Sequence, residues 1–488
     1  MTIIMKLKKL ILYAFIPFTL GACTNWLDVA PDDQVNEETL FSEADGYRNA
    51  LNGIYKNMAA SQLYGQELSY GTAEVLSHAY SSGYLGYSYS SLYNYKYSDK
   101  DAKTIIENIW SKAYTAIANC NNLIANAEEA DPAIFSENIL EKNLILGEAY
   151  ALRAFLHFDM LRLFAPSKKM DDQKTYIPYY DKKKSTYEPH LTVDQVLENV
   201  KKDLLKAKDL VAAFDTLDDQ HKRWLYTASR IEGGSNSQGY LTVPDDLFFA
   251  YRGYRMNYYA IVGTLARVYS WAGELDEAYK AAMEIIKATS YFTFGNSSTF
   301  SSNRKLYDEL VFVLSKKTLV EDFEVYIPSN SSSGSSTAFC LDLYQIGWSR
   351  GEQYDVRFKN FLDIKNYQYY SLKYTKQESS SLGEDIIPMI RLSEMYFIAS
   401  EYLYKNAKPS EALDLLSTVR YNRGFLDNSS FISSIYDESS FEKALVSEVQ
   451  KDLLGEGQAF YWYKKFNMDI SWNTPEYVIP TPDNENIF

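Results

Sequence analysis

The sequence predicts a mainly α-helical fold, in which tetratricopeptide-like helix pairs build a scaffold and long, irregular, aromatic-rich loops project from it. Three observations carry that expectation. Apolar residues recur at three- and four-residue steps over several long segments. Two of those segments can be laid over each other as helix pairs. The stretches between them lack that period and hold many of the tyrosines.

The chain opens MTIIMKLKKLILYAFIPFTLGACTNW, and Met1 and Met5 are two candidate starts. Lys6, Lys8 and Lys9 precede an apolar run from Leu10 to Leu20, shorter than the roughly 20 residues a membrane-spanning helix needs. Small residues follow, in the pattern of a cleaved secretory signal. Leu20-Gly21-Ala22-Cys23 resembles the lipobox of bacterial lipoproteins, in which the cysteine is lipidated and becomes the first residue of the mature chain. On that reading residues 1–22 are a lipoprotein signal peptide and Cys23 is the lipidation site. The alternative is an ordinary signal peptide beside a chance cysteine. Acyl chains anchor at about 0.8 kcal/mol per buried CH₂, and more than one chain makes the anchor durable.

Downstream, AKTIIENIWSKAYTAIANCNNLIANA carries an apolar stripe from Ile106 through Trp110, Ala113 and Ile117 to Ile124. ENILEKNLILGEAYALRAFLHFDMLRLFAP keeps the same period and stops at Pro166, which cannot continue a helix. NYYAIVGTLARVYSWAGELDEAYKAAMEIIKA reads as two helices broken at Gly273, and IPMIRLSEMYFIASEYLYKNAKPSEALDLLSTVRYNRG as two broken around Pro409. In this last pair of segments Leu265 to Tyr269 faces Ala399 to Leu403, and Glu277-Ala278 matches Glu411-Ala412. Small residues, with Leu or Tyr, recur where antiparallel helices must approach closely. Such a repeat buries its face only against neighbouring copies. The spacing between copies is irregular, so the repeat is degenerate; generic helical hairpins are the alternative.

Between the helices, Lys168 to Pro189 is polar and turn-rich, and Asp215 to Pro244 contains EGGSNSQG. Ser329 to Ser336, SNSSSGSS, is of low complexity, and Phe339 to Tyr374 is aromatic and irregular. Loops longer than about 15 residues are uncommon in compact domains unless they are functional or mobile.

Composition narrows the function. Of the 488 residues, 49 are basic and 64 acidic, for a net charge of −15. No basic footprint of the kind nucleic acids require is visible. The 43 tyrosines outnumber the 25 phenylalanines, and tyrosine suits wet interfaces and ligand contacts more than dry cores. After Cys23 the remaining cysteines are Cys120 and Cys340, far apart and in no CxxC pair. Cys120 falls on an apolar stripe and reads as a small buried hydrophobe; a Cys120–Cys340 disulfide stays open, because sequence alone does not decide it.

Nothing marks an enzyme. There is no HExxH, no GxSxG, no P-loop, and GEGQAF at Gly455 lacks the third glycine of a dinucleotide loop. His78, His157, His190 and His221 are scattered without metal-ligand spacing, and His157 reads as structural. Asp32-Asp33, Asp171-Asp172 and Asp245-Asp246 read as solvated loops or helix caps, not as calcium sites. No catalytic residue, metal or cofactor is expected.

Several stretches resemble the SusD/RagB family of surface lipoproteins from Bacteroidota. Cys23 to Tyr55 matches its opening, with Trp26-Leu27-Asp28, Pro31, Leu40-Phe41 and ALNGIY. GEAYALRAFLHFDMLRLFAP resembles its most recognisable internal motif, and LARVYSWAGELDEA and IRLSEMYFIASEYLY its later repeat helices. EVQKDLLGEGQAFYWYKKFN looks like its EG-x-R-F helix, and YVIPTPDNENIF like its terminal segment. Lys451 and Gln458 depart from the pattern where the family often has arginines. The resemblance implies an α–α superhelix in one structural unit, with residues 23–230 as its N-terminal and 231–488 as its C-terminal region. It also implies a non-enzymatic lipoprotein of the outer membrane, lipid-anchored and facing the cell exterior. Such a protein captures oligosaccharides and delivers them to a SusC-like TonB-dependent transporter. The same scaffold binding oligopeptides for import, and a protein–protein adaptor, are the alternatives.

The candidate ligand site starts from HAYSSGYLGYSYSSLYNYKY, His78 to Tyr97, with seven tyrosines in a background of Ser and Gly. In an extended run Tyr93, Tyr95 and Tyr97 would share one face; Tyr80, Tyr84 and Tyr87 would do so only in a helix. Aromatic planes meet the C–H faces of sugar rings, and neighbours such as Asn94 bond their hydroxyls. The resemblance implies that ligand contacts come from aromatic loops, an early one together with loops of the second half. The expected contacts are Tyr80, Tyr84, Tyr87, Tyr89, Tyr93, Asn94 and Tyr95, joined by Tyr344, Trp348 and Arg350. Gly347 and Ser349 flank Trp348 and suit it to display; Trp110 and Trp271 lie in amphipathic helices and read as core. Contact with a transporter, or packing of the scaffold, is the other use such tyrosines could have.

Overall fold

Periodic apolar segments become helices that stack in chain order. The structure, a computed structural model, describes residues 36–184, 186–232, 244–328, 337–348, 354–377, 382–471 and 474–486. The signal segment, Cys23, Ser329 to Ser336 and Arg350 lie outside the described residues. The principal helices are α1 (Ala44–Met58), α2 (Tyr87–Tyr93), α3 (Lys100–Glu129), α4 (Ile139–Phe164), α5 (Val193–Ala212), α6 (Tyr258–Ala272) and α7 (Leu275–Lys287). They continue with α8 (Leu343–Ile346), α9 (Leu392–Lys405), α10 (Pro409–Tyr421), α11 (Glu438–Asp452) and α12 (Ala459–Phe466). From α3 to α7 each helix packs on the next, α7 packs on α9, and α9 on α10. That is the nearest-neighbour stacking of a helical repeat.

The breaks fall where the stop signals stand. Gly273 ends α6 in a left-handed conformation with φ of 79°, which glycine adopts without a Cβ penalty. Pro409 opens α10, where its missing N–H has no intrahelical partner to lose. Helix α5 begins with a reciprocal capping box between Thr192 and Gln195.

Helix α4 differs from its expected one-sided pattern, since from Leu144 to Phe164 every residue is buried. The cause is position: α3 and α5 pack against it, together with α1. A Cβ on Gly147 would lie 2.5 Å from Val211 Cγ1 of α5, so that glycine is a close-approach point. The charges carried inside are paired. Arg153 donates twice to Asp203, at 2.7 and 2.8 Å, and Tyr64 donates to Asp159 at 2.7 Å. His157 is buried and stacked on Tyr179 at 3.9 Å. Its Nε2 accepts the Tyr180 N–H at 3.0 Å, and its Nδ1 lies 2.9 Å from the Arg153 carbonyl. Burial lowers its pKa to about 3, so the ring is neutral and structural.

Short antiparallel strand pairs stand between the helices, and one strand, Ile386–Arg391, takes the start of the segment read as a helix pair, so that its first helix begins only at Leu392. Strand β1 (Thr175–Pro178) pairs with β2 (His190–Thr192), β3 (Leu310–Ser315) with β6 (Ile386–Arg391), and β4 (Leu362–Lys365) with β5 (Gln368–Ser371). One hydrophobic cluster runs through the helices from Tyr47 to Ile479. Trp110 and Trp271 are part of it, and Cys120 and Cys340 are buried and free.

A second interior layer is ionic. Arg357 donates to Asp355 and Glu448, Arg423 to Glu309 and Asp452, and Arg391 to Glu456. Every one of these groups is buried, so each charge needs its partners. Gln458 accepts a bond from Arg162 at 3.1 Å, while Lys451 is buried beside Glu448.

Candidate functional site

The stretch from His78 to Tyr97 is folded, not extended. After the turn at Ser82–Tyr84 comes helix α2, and His78 and Tyr95 both sit in the left-handed region, at φ of 56° and 55°. The expected alternation of Tyr93, Tyr95 and Tyr97 therefore does not form. Non-glycine residues persist there only where the surroundings over-determine them, and those surroundings come from the second half of the chain. Ser81 N donates to the Cys340 carbonyl at 2.8 Å, Asp342 N to Ala79 at 2.9 Å, and Ala338 N to Tyr84 at 2.8 Å. The two regions expected to form a site together are thus bonded along their backbones.

That bonding divides the tyrosines. Tyr80 is buried, stacks on Phe339 at 4.4 Å and donates to the Tyr70 carbonyl at 2.8 Å. Tyr89 is buried with its hydroxyl on Glu67 at 3.0 Å, and Tyr95 is buried with its hydroxyl on the Leu76 carbonyl at 3.1 Å. As displayed contacts these three are corrected, because each ring and each hydroxyl is already occupied. Trp348 is corrected likewise: it is 3% exposed, and its Nε1–H donates to Asp355 at 3.0 Å. Gly347, left-handed at φ of 81°, turns the chain so that the indole enters the ionic layer.

The remaining rings face outward. Tyr84, Tyr87 and Tyr344 are 41%, 68% and 82% exposed. Tyr93 is half-buried and stacked on His78 at 3.7 Å with the planes 10° apart. Asn94 is exposed, its amide donating to the Ser90 carbonyl at 2.7 Å. Polar groups converge around the Tyr93 ring: His78 Nδ1 lies 3.2 Å from Ser471 Oγ, and Ser471 donates to Gln345 at 2.7 Å. Asp342 caps α8 by accepting the Gln345 N–H at 3.0 Å, which orients the turn that carries Tyr344. Burial lowers the His78 pKa, so a neutral imidazole lies under the Tyr93 ring. Burial first, and the Asp342 charge second, raise the Tyr93 pKa, so its hydroxyl stays a donor.

A further displayed ring, joined to this region, lies outside the expected set. Tyr367 is 96% exposed at the tip of the β4–β5 hairpin, with Asn366 and Tyr367 both at positive φ. The Tyr369 carbonyl of this hairpin accepts from Leu341 N at 2.8 Å, which joins it to the same region. The available signal was the two-residue NY turn between strand-like runs. Among the described residues no group of His, Cys, Asp and Glu could hold a metal. The arrangement offers flat aromatic faces on a fixed frame with hydroxyl and amide groups between them, which suits binding.

Comparison with known proteins bears on the fold. A family model described as starch-binding and associating with the outer membrane matches residues 25–222, and one for the SusD family matches residues 354–480. SusD-like proteins P25 and P2 of Formosa agariphila are 25% and 24% identical to the chain. Those alignments cover 33% and 36% of this chain and 31% of each relative, so the chain spans about a third of these curated relatives. A SusD superfamily structure from Bacteroides thetaiotaomicron superposes with a TM-score of 0.67 at 22% identity, covering 91% of this chain and 93% of that one. A putative sugar binding protein from Bacteroides vulgatus gives 0.66 at 20% identity, with 90% of each chain covered. A SusD superfamily protein from Bacteroides fragilis gives 0.68 at 17%, covering 92% and 98%. At these identities the structural likeness establishes the fold.

Proposed function

The chain belongs to the SusD/RagB family, and from that premise we propose that it is a non-enzymatic surface lipoprotein that captures oligosaccharides on the face formed by Tyr84, Tyr87, Tyr93 and Tyr344. The observation that carries the reading is the division of the tyrosines. In one bonded region some rings are spent on packing while Tyr87 and Tyr344 keep most of their surface in solvent. Exposed aromatic area on a frame held by backbone bonds is costly to leave bare and well suited to stack on sugar rings. Asn94, Ser82 and the hydroxyl of Tyr93 would supply bonds to sugar hydroxyls. Arg350 stays a proposed contact on sequence grounds alone.

In this reading Cys23 carries the lipid that holds the protein at the outer membrane, facing the exterior. No described helix is long and apolar enough to cross a membrane. The captured glycan is handed to a SusC-like TonB-dependent transporter, which supplies the energised step.

Calorimetric titration of the mature chain against neutral oligosaccharide mixtures and a peptide pool tests the proposal. Glycan heat should appear, and Tyr87→Ala and Tyr344→Ala should each weaken it roughly tenfold, equivalent to about 1.4 kcal/mol. Heat from peptides alone would move the protein to oligopeptide import. Glycan binding indifferent to both substitutions would remove the site.

A further inference from the structure

A second concave surface lies elsewhere, shares no residue with the tyrosine face, and is built from different elements. It is a cleft of about 460 Å³ between α1, the segment after Leu247, and the end of β3, a volume within the range of small-molecule pockets. On α1, Asn52 and Lys56 stand one turn apart and exposed, with Tyr55 beside them. The opposite wall carries Tyr251, Tyr254 and Arg255.

The cleft walls are held in place from behind. Tyr55 donates to Glu148 at 2.6 Å and accepts from Met256 N at 2.7 Å. Arg252, fully buried, donates to both oxygens of Asp215 at 3.1 and 3.0 Å and to Glu148 at 2.5 Å. These bonds fix the segment that presents Tyr251 in the left-handed conformation, at φ 53° and ψ 45°. For a bulky side chain that is an outlier, and such strain persists where the surrounding structure imposes it. The ring it presents is 43% exposed and meets Tyr254 edge-on at 6.3 Å.

The charges are what select a ligand. The Arg255 guanidinium lies against the rings of Tyr55 and Phe248, at 5.2 and 5.0 Å from their centroids. Its one carboxylate neighbour among the described residues is Glu148 at 4.0 Å, beyond hydrogen-bond range and already bonded to Arg252 and Tyr55. Lys56 has no ion-pair partner among the described residues. In a chain of net charge −15, the cleft therefore holds two cations, Arg255 with one long ion pair and Lys56, beside an edge-on pair of tyrosines. Asp385 on the rim accepts the Ser315 hydroxyl and can accept further hydroxyls. A planar guanidinium pairs with a carboxylate in two parallel bonds, while tyrosine faces accept a sugar ring.

We propose that this cleft is a second saccharide site, selective for sugar rings that bear a carboxylate. That the ligand is a saccharide rests on the glycan-capture reading above; the charge selectivity rests on Arg255 and Lys56. The test is titration of the mature chain with galacturonate and glucuronate oligomers, each against its methyl ester, which keeps the ring and removes the charge. The acid forms should bind about tenfold tighter than the esters, the scale of one charge-assisted pair, and added salt should narrow the gap. Arg255→Gln and Lys56→Gln should each abolish the difference; Lys56 is exposed on a helix face, so its substitution spares the fold. Tyr87→Ala and Tyr344→Ala should leave the acid-over-ester difference intact. Equal binding of acid and ester, no heat from either acid, or acid binding indifferent to both cation variants would overturn the proposal. Loss of neutral glycan binding in the tyrosine variants alone would leave the first site standing without this one. Acid binding that follows Arg255, with no neutral glycan bound, would do the reverse.

Discussion

Tyrosine serves two purposes in this molecule, and they differ by where the hydroxyl goes. Tyr80, Tyr95 and Tyr97 donate to backbone carbonyls of Tyr70, Leu76 and Glu476, and Tyr89 donates to Glu67. A buried ring with a satisfied tip is a core residue that happens to be polar. Tyr87 and Tyr344 leave their rings in solvent. In the interior close to Tyr80 lies Glu74, buried, accepting from the N–H groups of Gly455 and Gly457 at 2.9 and 3.0 Å while its Oε2 has no partner. Burial, the largest cause, raises its pKa from 4.5 to about 7. The native chain therefore holds a proton that the unfolded chain releases. Its contribution is complete below pH 4.5 and is lost as pH rises through about 7, a span worth about 3 kcal/mol. Glu74→Gln keeps an acceptor and removes the titration. Denaturant unfolding of both proteins should show wild-type stability falling relative to the variant across that window; a constant difference would contradict the assignment.

At the scale of elements, helices were legible and the tyrosine stretch was not. The stripe of α3 and the breaks at Gly273 and Pro409 are local signals, since period and stop residues act within a turn or two. Helix α2 escaped because YSYSSLY has neither an apolar stripe nor a cap; packing on α3 and on the short helix Thr72–Leu76 supports it. Two glycines show the same contrast. Gly273 is left-handed with open space where a Cβ would stand, so Gly273→Ala should cost only the backbone term, about 1 kcal/mol. Gly457 is left-handed as well, but a Cβ there would meet the Leu68 carbonyl at 2.1 Å. Gly457→Ala must shift backbone and disturb the bond to Glu74, so it should cost several times more, on the order of 3–4 kcal/mol. Thermal and denaturant melts would rank the two, and equal costs would refute the packing account.

At the scale of the whole molecule, the two regions on either side of residue 230 share one core. The hydrophobic cluster spans them, Arg252 reaches back to Glu148 and Asp215, and Ile479 N bonds the Leu163 carbonyl at 3.2 Å. Unfolding should then be a single cooperative transition seen alike by far-UV and near-UV signals, and residues 23–230 expressed alone should not fold to a native-like state. Two separate transitions would show that the regions are independent.

By itself the sequence determined the helical scaffold, its degenerate pairing and the family's motifs, because periodicity and stop residues are read within a few turns of chain. It also located the early and late aromatic stretches, and the structure bonds them to each other. Only the tertiary structure decided which rings face solvent. Tyr80 is covered by Phe339 and Trp348 is drawn in by Asp355, whereas Tyr344 and Tyr367 keep most of their surface in solvent. Burial depends on what arrives from elsewhere in the chain, and no local pattern around a tyrosine carries that information.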